Sequence, residues 1–179
     1  MMMTSEVPGE APVHLNEGRA WLRLGATVDD AVVAELVRAA TNICEAFIGQ
    51  WVIVRAAEES LPLDGGAVRL GARPVVAVDE VTLLRPDGSE AKPDRERWRA
   101  AIARDGTATV AIHDRGAGDR ARIAYRAGIA AGPNGVPEAI RQGIVRMTQH
   151  LHDARDSDGG GPPAAIAALW QPWRRWTLG

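Results

Sequence analysis

The feature that most constrains this chain is a double change of hydrophobic period. From Asp29 to Ile48, apolar residues recur at Val32, Val33, Leu36, Val37, Ala40, Ile43, Cys44 and Phe47, the spacing of a helix with a broad buried face. Thr27 is placed to cap this helix and Asp30, three residues on, completes a capping-box-like pair. The pattern then shifts to β-branched runs between Pro and Gly punctuation, at Trp51–Arg55, Ala67–Leu70, Val75–Leu84, Thr107–His113 and Ala121–Arg126. It returns to helical spacing with Ile140, Ile144, Met147 and Leu151, behind Pro137 in the first turn. The order is two helices, a β-rich insert and one helix. It predicts an α+β fold: a helical body built from two N-terminal helices (14–24 and 29–48) and one C-terminal helix (137–153), with a small antiparallel sheet of four to six strands inserted at about 50–127.

The ends are read separately. Residues 1–13 are polar with Pro8, Gly9 and Pro12, and predict a flexible arm. The helix 14–24 carries Leu15, Trp21 and Leu22 as its apolar side, with Gly25 as its stop. Residues 14–156 form the main domain. Residues 157–163 (Ser-Asp-Gly-Gly-Gly-Pro-Pro) are a flexible linker to a tail that runs to Gly179.

Composition removes several function classes. A formal net charge of -2 argues against a general nucleic-acid or anionic-membrane binder. The single cysteine, Cys44, allows neither an intramolecular disulfide nor a multi-Cys metal site. No apolar run approaches the ~20 residues needed to span a bilayer, and the start carries no signal-peptide pattern. We therefore expect a soluble protein made in a reducing cytoplasm, with no membrane partner.

Catalytic and metal chemistry finds little to stand on. His150 and His152, beside Asp153, point about 200° apart on a helix and cannot share one ion without distortion. Cys44 lies on an apolar helix face, where a free thiol behaves as a small hydrophobe, with no base and orienter beside it. Gly116–Ala121 resembles a dinucleotide-binding turn but precedes a strand, the wrong context. It reads as a hairpin loop. No catalytic, cofactor or metal residue is assigned, and no cofactor is expected.

The C-terminal tail is different. Three of the six tryptophans, Trp170, Trp173 and Trp176, lie within seven residues, interleaved with Arg174 and Arg175 and followed by Leu178. Trp and Arg are the types most enriched at interface hot spots. Burying each tryptophan contributes roughly 4–6 kcal/mol gross, from ~150–250 Å² at ~25 cal/mol/Å², whereas ordering about ten flexible residues costs on the order of 10–20 kcal/mol. The two nearly cancel. We expect a tail that stays loose until a partner supplies a groove; the alternative is that the tryptophans pack back on their own domain.

The order of these segments resembles a known family. Val13–Leu24 is followed by Asp-Asp-Ala-Val-Val-Ala-Glu-Leu-Val-Arg-Ala-Ala-Thr-Asn-Ile-Cys-Glu-Ala-Phe-Ile-Gly at 29–49, then Arg73–Val81, Tyr-Arg-Ala-Gly at 125–128, Val-Pro-Glu-Ala-Ile-Arg-Gln-Gly-Ile at 136–144, and Leu169–Trp176. Over nearly the whole chain this is similar to the head–tail connector (adaptor) proteins of long-tailed bacteriophages, prophages and gene transfer agents. The family usually has Tyr where Trp173 stands. The resemblance implies a non-catalytic structural subunit of a dodecameric ring in the virion neck, assembled in the host cytoplasm. It implies a portal protein above, contacted through Trp170, Trp173, Arg174, Arg175, Trp176 and Leu178, and a stopper or tail-terminator protein below. DNA would pass through the lumen without sequence readout. The alternatives are a stopper or tail-completion protein of the same neck, or a small bacterial ligand-binding domain or enzyme.

Overall fold

Helical spacing and β spacing separate cleanly in three dimensions. A computed structural model describes residues 2–5, 10–22, 30–114, 116–153 and 161–175. The chain divides into two compact units, a β unit (1–8 and 54–129) and a helical unit (9–53 and 130–179). The β insert is thus a unit in its own right, and the first residues of the chain belong to it.

In the helical unit, α1 spans Leu15–Leu22, α2 Asp30–Ile48, α3 Glu138–Asp153 and α4 Ala164–Trp170. The helix capping expected at Thr27 and the stop at Gly25 lie outside the described residues. On α2 the buried side chains are Val33, Val37, Ala40, Thr41, Cys44 and Ile48, a stripe at 3.6 spacing. On α3 they include Ile140, Ile144 and Met147. Of the apolar side expected for α1, Leu15 and Leu22 are half-buried and Trp21 is not. The buried residue of the helix is Gly18, set against Val33 and Val37, while Trp21 is 41% exposed and donates from Nε1 to Gln149 Oε1 at 2.8 Å. A short helix without a bulky inward residue approaches its neighbour closely, and the large indole goes to the edge. An Arg19–Asp30 ion pair joins α1 to α2, and Arg141 on α3 joins Glu17 at 3.2 Å.

The β unit holds two antiparallel sheets. The first has the order β1-β2-β8-β4-β5, made of Met2–Ser5, Arg55–Pro62, Arg120–Ala127, Val75–Leu84 and Glu90–Ala91. The second has the order β3-β7-β6, made of Ala67–Arg69, Ala108–Ile112 and Trp98–Ile102. The expected flexible arm is corrected here. Met2–Ser5 pairs with β2, from Met2 opposite Ser60 to Ser5 opposite Ala57, and Pro12 and Val13 are buried in the helical unit. An edge strand draws its stability from backbone ladder bonds, which leave no mark on side-chain patterning.

The strand expected at Trp51–Arg55 is also displaced. Only Ile53 makes a bridge there, parallel to Ala130, and β2 proper runs on to Pro62. Its inward positions are Ala57, Glu59 and Leu61. Glu59 is fully buried. Its carboxylate accepts from Gly71 N at 3.0 and 3.2 Å and from the Tyr125 hydroxyl, and that hydroxyl in turn accepts from Ala72 N at 3.1 Å. A buried carboxylate is tolerable only when hydrogen-bonded in this way. Burial first, and the bond to Glu59 second, hold the Tyr125 phenol well above its ordinary pKa. The opposite face of the sheet is charged. Arg122 grips Glu90 at 2.5 and 2.8 Å, and Arg126 meets both oxygens of Asp79 at 3.1 Å. The Arg122 guanidinium holds the Glu90 carboxyl below its usual range.

Candidate interaction surface at the C-terminal segment

The C-terminal segment begins with a local choice. Pro163 precedes α4, and five of the seven residues of Ala164–Trp170 are Ala or Leu, strong helix formers. Only two of its side chains are buried, Ile166 and Trp170. Gln171–Trp173 then tightens into a 3-10 turn with Pro172 inside it, and Arg174 leaves in an extended conformation.

Trp170 is fully buried in the helical unit. Its Nε1 donates to Ile140 O at 3.3 Å, and its ring lies 5.9 Å from that of Phe47 at 50°. The fit depends on Gly143 of α3. A Cβ built there would sit 2.7 Å from Trp170 Cε2 and closer still to Nε1, so no other residue leaves room for the indole. The expectation of a wholly loose tail is therefore corrected at Trp170. Three terms beyond tryptophan burial hold the segment: a notch already shaped in α3, a helix that orders Ala164–Trp170 on its own hydrogen bonds, and the second anchor at Ile166.

Beyond Trp170 the hold becomes polar and shallow. Gln50 Nε2 donates to Trp173 O at 2.5 Å, Arg175 N donates to Ile48 O at 2.8 Å, and the Arg174 guanidinium carbon stands 5.0 Å from the Phe47 ring centre. Gly49, at φ +68°, ends α2, and a Cβ there would lie 2.7 Å from Arg175 O. Trp173 and Arg174 are half-buried and Arg175 is exposed. The structure thus brings Trp170, Trp173, Arg174 and Arg175 together along the C-terminal end of α2, with Trp170 beneath and the others above. Trp176 and Leu178 lie outside the described residues. The residues that sequence reasoning missed are Gly143, Phe47 and Gln50. A glycine in mid-helix, which costs roughly 0.5–1 kcal/mol relative to Ala, was the available signal for the first.

The groups weighed for chemistry fall elsewhere. His152 Nδ1 lies 3.2 Å from its neighbour Asp153, and no group of three metal-ligating side chains occurs among the described residues. Cys44 is buried, and burial followed by the charge of Glu45 pushes its thiol far up. A cleft of about 160 Å³ lined by Pro12, His14, Glu17, Pro133, Asn134, Val136, Glu138 and Arg141 is smaller than the roughly 300–1,000 Å³ typical of small-molecule sites. Its guanidinium is already held by Glu17 and Glu138. No helix among the described residues is long and apolar enough to cross a membrane.

These helices and sheets define an α+β fold that phage-like particles also contain, end to end. One protein of the neck of an empty gene transfer agent (GTA) particle, computed with C6 symmetry, matches with a TM-score of 0.79 and 22% identity, over 100% of this chain and 99% of that one. A protein of the native GTA virion matches at 0.78 and 24%, and one of the native GTA neck, computed with C12 symmetry, at 0.78 and 22%, each over 100% of this chain and 99% of the other. At these identities the likeness is one of fold. No family model and no curated protein sequence matches the chain.

Proposed function

We propose that the chain is a head–tail connector (adaptor) subunit. Twelve copies form a ring in the neck of a phage-like particle, joining the portal of the head to the stopper or tail-terminator protein, with DNA passing through the lumen. The role is structural and non-catalytic. The observation that carries this reading is the full-length match of fold to proteins of GTA necks, including one treated with C12 symmetry. The segment order read from the sequence points the same way independently.

The surface assigned to the portal is the C-terminal segment beyond the buried anchor: Trp173, Arg174 and Arg175, continued by Trp176 and Leu178. Trp170 serves this surface from beneath, by fixing where the segment starts. The half-buried aromatic and two arginines have the composition of an interface hot spot, and with their contacts on α2 kept, Trp173 and Arg174 stay half-buried and Arg175 exposed, open on their outer side to a partner.

Crosslinking within purified particles tests the assignment. A photo-crosslinker at position 174 or 175 is expected to capture the portal protein. Capture of tail proteins alone would instead favour a stopper or tail-completion subunit.

A further inference from the structure

The groove that holds α4 is built as a receptor for a helix of this sequence. Gly143 supplies the notch, Ile140 O accepts the indole N–H, Phe47 covers the ring, and Gln50 and Ile48 fix the chain beyond it. What connects groove and helix is longer than the connection requires. Ten residues, 154–163, separate α3 from α4. Trp170 meets α3 at Ile140 and Gly143. From there α3 runs about 15 Å to Asp153, and α4 runs back about 9 Å to Ala164, at ~1.5 Å per residue. With helix axes about 8–10 Å apart, the gap from Asp153 to Ala164 is roughly 10–26 Å for any orientation of α4 on α3. Ten residues reach about 33–36 Å. About seven residues would close even the longest of these gaps.

We infer that in the assembled ring α4 is exchanged between neighbouring copies, so that Trp170 of one subunit fills the Gly143 notch of the next. The inference rests on the ring reading above. Exchange keeps every groove contact and alters only the path of the linker, which makes it a low-cost route to association. A head-to-tail exchange also closes: each subunit gives one helix and receives one. Tethered binding of this kind holds a ring together far beyond the affinity of one contact. In the free chain the same helix sits in its own groove, and the exchange accompanies assembly.

The test places a reactive pair where groove and segment touch. Cysteines at Gln50→Cys and Trp173→Cys, in a Cys44→Ala background, are joined with a short bismaleimide in intact particles and run on a denaturing gel. The expected result is a ladder of covalent multimers from particles and a monomer band from the free chain. Rings visible by microscopy whose crosslinked chains run only as monomers would overturn the exchange and leave the ring reading standing. Particles that contain the chain but no ring of it would overturn both. A second pair, Phe47→Cys with Arg174→Cys, asks the same question should the first fail to fold.

Discussion

Gly143 and Trp170 form a lock that neither residue reveals alone. In isolation Gly143→Ala should stabilise a helix by about 1 kcal/mol. Here the new Cβ would meet Trp170 Cε2 at 2.7 Å, and overpacking of that kind costs about 1–3 kcal/mol. We predict that G143A lowers stability in urea unfolding. Trp170→Ala alone should cost about 3–5 kcal/mol. In the W170A background the sign of G143A reverses and it becomes stabilising, because the helix preference remains and the clash is gone. A G143A that stabilises the otherwise unchanged protein would mean that the notch is not tight. At the same scale, Tyr125 is the one tyrosine of the chain, so its titration can be followed directly by phenolate absorbance. Its pKa is raised in the folded state by burial and by Glu59. The folded chain therefore keeps the phenol proton where the unfolded chain, with a pKa near 10, releases it. The associated stability is complete below about pH 10 and is lost as pH rises beyond it. Tyr125→Phe should remove that alkaline decline. It should also cost about 1–3 kcal/mol at neutral pH, because it strands Ala72 N–H and takes one donor from Glu59.

The elements show why part of the fold was legible and part was not. Both long helices were readable because a 3.6 period over four or more turns, as at Val33, Val37, Ala40 and Cys44, has few competing explanations. The alternation of β7 and β8 was readable for the same reason at period two. β2 was hidden because its central inward residue is a carboxylate, Glu59, satisfied by partners 12 and 66 residues away. The two register shifts of β4, at Val75/Ala77 and Val78/Glu80, leave Val76 and Asp79 without an opposite residue on β8, and Val81, Thr82 and Leu83 are buried in a row, which period two cannot anticipate. β1 was read as part of a flexible arm and β6 was given no element, since one lies in a polar stretch and the other follows a charged run. This organisation predicts the effect of removing residues 1–5. The strand buries none of Met3, Thr4 and Ser5 and touches the sheet only through β2. Its deletion should leave β8 and β4 amides as protected from hydrogen exchange as before. It should raise exchange in β2 and increase self-association through the new edge. Loss of protection across the whole five-stranded sheet would show that β1 carries more of the unit than its contacts indicate.

At the scale of the whole molecule, the position of the buried anchor divides the tail into a part that belongs to the fold and a part to which the proposed function gives the partner. The tail looked separable at residue 164 when only sequence was considered, because the Gly-Pro linker ends there. The structure moves the boundary to Trp170. Removing 164–179 takes out Ile166 and Trp170 together, bares Phe47 and empties the notch at Gly143. That truncation should unfold the helical unit at markedly lower denaturant, and any failure of assembly would follow from lost structure. Removing 171–179 takes away the bond from Gln50 to Trp173 O and that from Arg175 N to Ile48 O, each contributing about 0.5–1.5 kcal/mol, and leaves the anchor in place. The shorter truncation should stay folded, with unfolding midpoint shifted by only a few degrees, while particles carrying it contain filled heads that lack tails. Thermal unfolding of the two truncations, set beside electron microscopy of complemented particles, separates the roles. If the 171–179 deletion assembled complete particles at the full-length level, the portal-facing role of Trp173, Arg174 and Arg175 would be refuted.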